Sequence, residues 1–387
     1  MNLGNLLYWA AQFPPQFCGI VLLLFIVMSS LFALIFPNSS SYFQHWAIWL
    51  DYRKVLYLSA GLLFIILLQA VLLPYPLSPF TALHLGFYLI LYGASRKNAL
   101  SHVSFRSINI VTWLNVAMLF GSMLLPIREV AFIEKVGGLR FESFYSEPSY
   151  AAFIYIFNMQ QLWMRRHQER ILLLLFVNFV CILFTFSGSG FALLFLLLVI
   201  HLSVREKLNV RVKLVIALAS GVLLLKMLAG DAFDQMLIAR FQGIASSEID
   251  NSTFLRLVAP WLFLDGLAAK ELHFFVGAGI GGLVEYINFY RSELGYLVDF
   301  SGEPVSSINN GYAIIVALLG FPLGVAVLTW MFWQTWKSKL HLSNKLLFIA
   351  YPFFSGWVIH PLFFLLMALS LWKNNKSSLL NNVKRVP

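Results

Sequence analysis

"VLYLSAGLLFIILLQAVLL", residues 55–73, runs for 19 residues without one charged side chain. As α-helix, at about 1.5 Å per residue, it is just long enough to cross roughly 30 Å of hydrocarbon. Arg53 and Lys54 stand directly before it and Pro74 directly after. Backbone N–H and C=O groups find no water in lipid, so such a run crosses as a helix. Comparable runs recur near 17–36, 77–94, 108–125, 148–163, 171–186, 190–204, 212–229 and 310–335. A longer run, 346–372, is generous for one crossing and short for two, and Pro352, Gly356 and Pro361 interrupt it. Residues 1–16 fit an interfacial helix or part of a further span.

The bulk numbers agree. Of 387 residues 60% are hydrophobic and 11% charged, with a mean hydropathy of +0.79. A soluble chain carries about a quarter of its residues as charges. The 37 Phe and 11 Trp suit lipid-facing and interfacial positions. No basic residue precedes Arg53, so a cleavable leader is not expected. Cys18 and Cys181 lie in apolar runs and read as small core residues rather than a disulfide.

A net charge of +10 would by itself suit a nucleic-acid partner, but its distribution follows membrane topology. Basic residues gather in alternate loops: Arg53 and Lys54, Arg96 to Arg106, Arg165 to Arg170, Arg205 to Lys213, Lys337 to Lys345, and the tail from Lys373. That face holds 19 of the 27 basic residues and three of the 17 acids, Asp51, Glu169 and Glu206. Such an excess marks the cytoplasmic side, and no nucleic-acid partner is expected. For Lys345 and the tail to share that side, 346–372 must cross twice or re-enter. The expected fold class is all-α, one integral membrane domain over 1–387 with about 11 transmembrane helices. Two long loops fall outside, 126–147 and the large 230–309, and long loops in compact chains commonly carry function.

Five stretches hold the candidate chemistry. In "RFESFYSEPSYAAF", 140–153, Ser146-Glu147-Pro148 is a helix-start signal: Ser caps, Pro fits the first turn, and Glu favours the dipole. Arg140, Tyr145 and Tyr150 beside it suit a sugar diphosphate, because guanidinium clamps phosphate and rings stack on pyranose faces. "NSTFLRLVAPWLF", 251–263, sets Arg256 in apolar neighbours, as on a helix at the membrane surface. Its partner is a lipid-linked phosphate, or it snorkels or pairs with Asp265 or Glu248. "FVGAGIGGLVEY", 275–286, lacks the spacing of a nucleotide loop and reads better as close packing or a turn. "TFSGSGFALL", 185–194, is a tight turn in which Gly188 and Gly190 supply the conformational freedom and Ser187 and Ser189 offer hydroxyls. "SSINNGYAIIVALLGFPLG", 306–324, opens a helix at Asn309 and Asn310 that Gly320 and Pro322 break midway.

Other signals are missing. Eight scattered His and two Cys show no metal-ligand spacing, and no DxD pair offers to hold a nucleotide sugar, so neither metal nor cofactor is expected. Of the histidines, His273 alone falls in an external loop. Ionisable residues at mid-helix reduce to Lys226 and His84, few for an ion-coupled transporter.

Taken in order, the stretches resemble Wzy-type polysaccharide polymerases of the O-antigen polymerase and ligase superfamily, in the branch typified by colanic acid polymerase. The resemblance covers roughly residues 108–372. It rests on Tyr145-Ser146-Glu147-Pro148 leading into a helix, the Ser187–Gly190 turn, Arg256 four residues before Pro260-Trp261, and Asn310-Gly311 opening a helix. O-antigen ligases carry a His, a polar residue, nine positions, Gly, and a second Gly three further on. Here Asn309 stands at the His position, Asn310 and Gly320 keep register, and the last glycine comes one late at Gly324. Asparagine accepts no proton, which weakens a ligase assignment.

The resemblance implies a GT-C-like membrane glycosyltransferase in the bacterial inner membrane. A growing glycan would pass from undecaprenyl diphosphate to a lipid-linked oligosaccharide repeat at the outer face, with inversion and without metal. It implies catalytic roles for Arg256 and Arg140 at the leaving diphosphate and for Glu147 as base or orienting group. Arg291 would be a weaker third cation, and Asn309, Asn310, Tyr145, Tyr150, Ser187 and Ser189 would bind sugar. The expected partners are the lipid-linked oligosaccharide, the bilayer and a chain-length regulator. The alternatives are an O-antigen ligase acting on lipid A core and a lipid-linked oligosaccharide flippase.

Overall fold

The computed structural model describes residues 3–12, 52–79, 82, 86, 103–124, 132–135, 138–141, 143, 145, 148–164, 171–203, 256, 258–290, 308–338 and 342–354. The spans expected near 17–36 and 212–229, most of 77–94 and the far part of 346–372 lie outside them. In chain order the elements are α1 (Leu3–Ala10), α2 (Tyr52–Leu72), α3 (Phe105–Leu124), β1 (Phe132–Lys135), β2 (Gly138–Phe141), α4 (Pro148–Trp163), α5 (Ile171–Thr185) and α6 (Gly188–Ser203). There follow α7 (Ala259–Ala268), α8 (Glu271–Val276), α9 (Leu283–Phe289), α10 (Gly311–Leu319), α11 (Phe321–Lys337) and α12 (Leu342–Phe354). The chain folds as two compact units, residues 1–7, 19–102 and 255–387 in the first, and 8–18 and 103–254 in the second.

The described residues are helical apart from one hairpin, in which β1 and β2 pair antiparallel with Phe132 opposite Phe141 and Ile133 opposite Arg140. The helical class expected from the sequence holds, and the short hairpin is a local feature of the chain ahead of α4. The loop 126–147 contains two four-residue segments separated by Val136-Gly137, a spacing that a two-residue hairpin turn satisfies.

In the first unit, α2 realises the 55–73 run. Among the described residues it is the one helix long and apolar enough to cross a membrane. Its side chains point outward: Leu56 is 68% exposed, Phe64 67% and Val71 83%. Each large apolar side chain left in water forgoes about 1.5–3 kcal/mol, a cost absent in hydrocarbon. Gln69 breaks the pattern, being 2% exposed.

Gln69 faces two helix breaks. The run expected at 310–335 is interrupted where foreseen: α10 stops at Leu319, Gly320 takes φ +77°, and α11 restarts with Pro322 in its first turn. Opposite, α8 stops at Val276 and Gly277 takes φ +76°. A Cβ on Gly277 would lie 2.5 Å from the Gly320 nitrogen, and one on Gly320 would lie 2.4 Å from the Phe275 oxygen. The two breaks therefore press backbone to backbone, and the Ala278 N–H donates to the Ala317 carbonyl at 2.6 Å. Helix C-termini leave carbonyls without intrahelical donors. The Gln69 Nε2 donates to two of these, Val276 O at 2.9 Å and Leu318 O at 3.0 Å. Its Oε1 accepts from the Ile280 N–H at 2.8 Å.

In the second unit, α4 starts at Pro148, as the Pro at the first helical position foretells, and all 16 of its residues are buried. It lies along α5, with α3 and α6 also against it. Gly190 permits one close approach, since a Cβ there would lie 2.6 Å from the Ala152 Cβ. The turn between α5 and α6 differs from expectation. Gly188 and Gly190 already belong to α6, and the positive φ (45°) falls on Phe186. Ser187 then caps α6, its Oγ accepting from the Gly190 N–H at 3.2 Å.

Gln69→Leu keeps the side chain's bulk and strands three buried backbone groups, at about 1–3 kcal/mol each. We expect a large fall in thermal midpoint for the detergent-purified protein, against little change for Leu68→Ala on the outward face of the same helix. Equal midpoints for the two variants would refute the clamp.

Candidate functional site

In the first unit three of the five stretches meet, 275–286 packing on 306–324 at the paired helix breaks and 251–263 joining 306–324 through Asn310. Asn310 caps α10, its Oδ1 accepting from the Tyr312 and Ala313 N–H groups at 3.1 and 3.2 Å. Its Nδ2 donates across 54 positions of sequence to the Arg256 carbonyl at 3.3 Å. Arg256 is half-buried and helical just ahead of α7, and the rest of 251–257 lies outside the described residues. Asn309 is half-buried beside them, and its side chain makes no hydrogen bond with the described residues. Arg291 lies outside the described residues.

A second polar cluster of this unit surrounds His273. Its Nδ1 lies 2.9 Å from the Gly277 carbonyl, which only accepts, so Nδ1 carries the proton. Nε2 is then a lone pair and accepts from the Tyr290 hydroxyl at 3.0 Å. Tyr75 stacks on the imidazole, and Tyr286 and Tyr290 meet it edge-on. The Lys270 Nζ sits 4.1 Å over the Tyr290 ring. Burial pushes the His273 pKa below its ordinary value; the Gly277 carbonyl opposes that shift and the Lys270 charge adds to it. Burial likewise pushes the Tyr75 phenol up. The ring cage favours the neutral imidazole, while Nδ1 closes the end of α8 on Gly277 and Nε2 ties that helix to Tyr290 at the end of α9. The sequence signal for it was present, a lone external histidine in the Tyr286–Tyr290 neighbourhood, but a histidine without ligand spacing carries no role by itself.

The second unit holds the other two stretches, 140–153 and 185–194. Arg140 lies on β2. Glu147 lies outside the described residues. Tyr145 and Tyr150 are buried. The Tyr145 hydroxyl donates to Gln12 Oε1, its ring meets Tyr155 edge-on, and burial pushes its pKa up. Behind it, Asn115 Oδ1 accepts from Ser143 Oγ at 2.5 Å and from the Tyr155 hydroxyl at 3.0 Å. Further along, Tyr8, Asn158, Asn178 and Thr112 form a hydrogen-bonded file at 2.6, 3.2 and 3.0 Å. Ser187 and Ser189 lie 3.1 Å apart at the start of α6, with Ser187 engaged as its cap. Among the described residues no three His, Cys, Asp or Glu side chains stand together as metal ligands.

Comparison with protein-family models, with curated proteins and with solved structures finds no match to this chain.

The His273 environment predicts a pH effect whose sign is fixed. Its folded pKa is lowered, so the unfolded state binds the proton more readily, and stability falls as pH drops below the unfolded value of about 6.5. Thermal midpoints should decline from pH 7.5 toward acid, and His273→Gln should remove part of that decline. A parallel decline in wild type and variant would place the effect elsewhere.

Proposed function

We propose that the chain is a polytopic inner-membrane glycosyltransferase. It polymerises a lipid-linked oligosaccharide repeat by moving the growing glycan from undecaprenyl diphosphate to the acceptor sugar. The observation that supports this best is the bond from Asn310 Nδ2 to the Arg256 carbonyl. It holds together two motifs whose order along the chain carries the resemblance.

The linkage breaks at the anomeric carbon, the diphosphate leaves, and an acceptor hydroxyl attacks from the opposite face. The leaving group gains negative charge, which a preorganised guanidinium meets without reorganising. Arg256 takes that role, its backbone anchored by Asn310. Asn310 spends its amide on the cap and the anchor, so sugar hydroxyls fall to Asn309. Glu147 as base or orienting carboxylate, and Arg140 and Arg291 as further cations, remain assignments from the sequence motifs. The reading is also supported by α2, whose outward apolar surface fits hydrocarbon.

Arg256→Ala should remove polymer and leave a single lipid-linked repeat, a loss of about 10²–10³ in rate. The test sizes the glycan made by a deletion strain carrying each variant. Normal chain length with Arg256→Ala would remove this residue from the mechanism, and polymer stranded on the carrier in the deletion strain would mean a ligase.

The two asparagines should separate. Asn310→Ala should lower thermal stability by about 0.5–2 kcal/mol, the cost of a lost cap. Asn309→Ala should leave stability intact and shorten the polymer. The reverse pattern would exchange their roles.

A further inference from the structure

The last turns of α11 and the start of α12 form an aromatic and basic ledge that the proposed reaction does not use. Trp330, Trp333 and Trp336 recur every third residue, 45%, 56% and 67% exposed. They cover about 9 Å of helix axis, roughly the depth of a bilayer's interfacial zone. Indole rings favour that zone because the ring is apolar and the N–H polar.

Two ammonium groups are held against these rings from different helices. Lys337 Nζ sits 3.9 Å from the Trp333 ring centre. Lys345 Nζ sits 5.8 Å from that of Trp336 and donates to the Trp336 carbonyl at 2.8 Å. A lysine on a flexible stem usually loses side-chain freedom when it binds an anion. Here the rings and the carbonyl hold both charges in place beforehand. No acid balances them in sequence: the chain has no Asp or Glu after Glu303.

We propose that this ledge binds the headgroup of an anionic phospholipid. The tryptophans seat the acyl–glycerol boundary, and Lys337 and Lys345 meet the phosphodiester from two sides. Rings lining the ledge favour a lipid over a soluble anion, since a free phosphate gains nothing from three exposed indoles. The inference needs α11 to lie in a bilayer and does not depend on the reaction proposed above.

The test reconstitutes the full chain in phosphatidylcholine vesicles containing brominated phosphatidylglycerol or, at equal mole fraction, brominated phosphatidylcholine. Bromine quenches indole fluorescence on contact. The quenching attributed to Trp333 and Trp336 is the part lost in Trp333→Phe/Trp336→Phe. Brominated phosphatidylglycerol should quench that part more strongly, reflecting about fivefold local enrichment for each lysine. Lys337→Gln/Lys345→Gln should abolish the preference, and Lys337→Arg/Lys345→Arg should retain it. Both positions are at the surface or beside it, and unchanged thermal midpoints will show that the variants fold. Equal quenching by the two lipids in wild type, a preference that survives the Gln pair, or relief by inorganic phosphate would each overturn the assignment.

Discussion

One amide holds the first unit together. Gln69 stands in the apolar body of its helix, and its three side-chain hydrogen bonds go to backbone alone. The reason lies in what meets it. Two helices stop within a few residues of each other in space, and each stop releases carbonyls that no later N–H can reach. In a bilayer, irregular backbone is tolerated only where protein satisfies it. Glutamine is suited to that task because its NH₂ offers two donors and its oxygen accepts, so one side chain serves both stops and the loop between them. A charged residue would add a desolvation cost, and a serine would be too short to span both carbonyls. Glycine at 277 and 320 is the complementary condition, since any Cβ would force the paired breaks apart.

The same logic, with different residues, governs the second unit. α4 is enclosed on all sides, yet Asn158, Gln160 and Gln161 are buried in it. Among the described residues its polar contacts run through amides and hydroxyls rather than charges, from Ser143 and Tyr155 on Asn115 to the Tyr8–Asn158–Asn178–Thr112 file. Neutral groups lock helix against helix without the ionisation cost that mid-membrane carboxylates or ammoniums bear.

Much of this frame was legible in the sequence. Apolar length set α2, α3 and α5 to within a few residues, Pro148 marked the start of α4, and Asn310, Gly320 and Pro322 marked a capped, broken helix. These signals are local, acting through capping, ring geometry and the missing proline N–H. What stayed hidden depends on distant partners. A single Gln in a 19-residue apolar run reads as tolerated, because its value lies in carbonyls more than 200 positions away. The turn at Phe186 was assigned to the neighbouring glycines, since nothing in an aromatic residue announces a positive φ. The hairpin at 132–141 is too short for alternation to stand out. Of the site, the motifs were visible, whereas the division of labour between Asn309 and Asn310 required the bond to Arg256.

That division bears on the chemistry. Where ligases place a histidine, this chain places Asn309, and no amide side chain can take up the acceptor's proton. The described part of the stretch expected to be external does contain a histidine, His273, but both its nitrogens are engaged and its cage favours the neutral form. Neither residue, then, supplies a strong base. A glycosyl transfer can proceed without one when bond breaking runs ahead of bond making, because the attacking hydroxyl becomes acidic only as the new bond forms. The demand then shifts to the leaving diphosphate, whose charge develops early. Positioned guanidinium answers that demand at any physiological pH, since arginine does not deprotonate. If the proposed transfer is this chain's reaction, its rate should follow the placement of Arg256 more closely than the titration of any histidine or carboxylate.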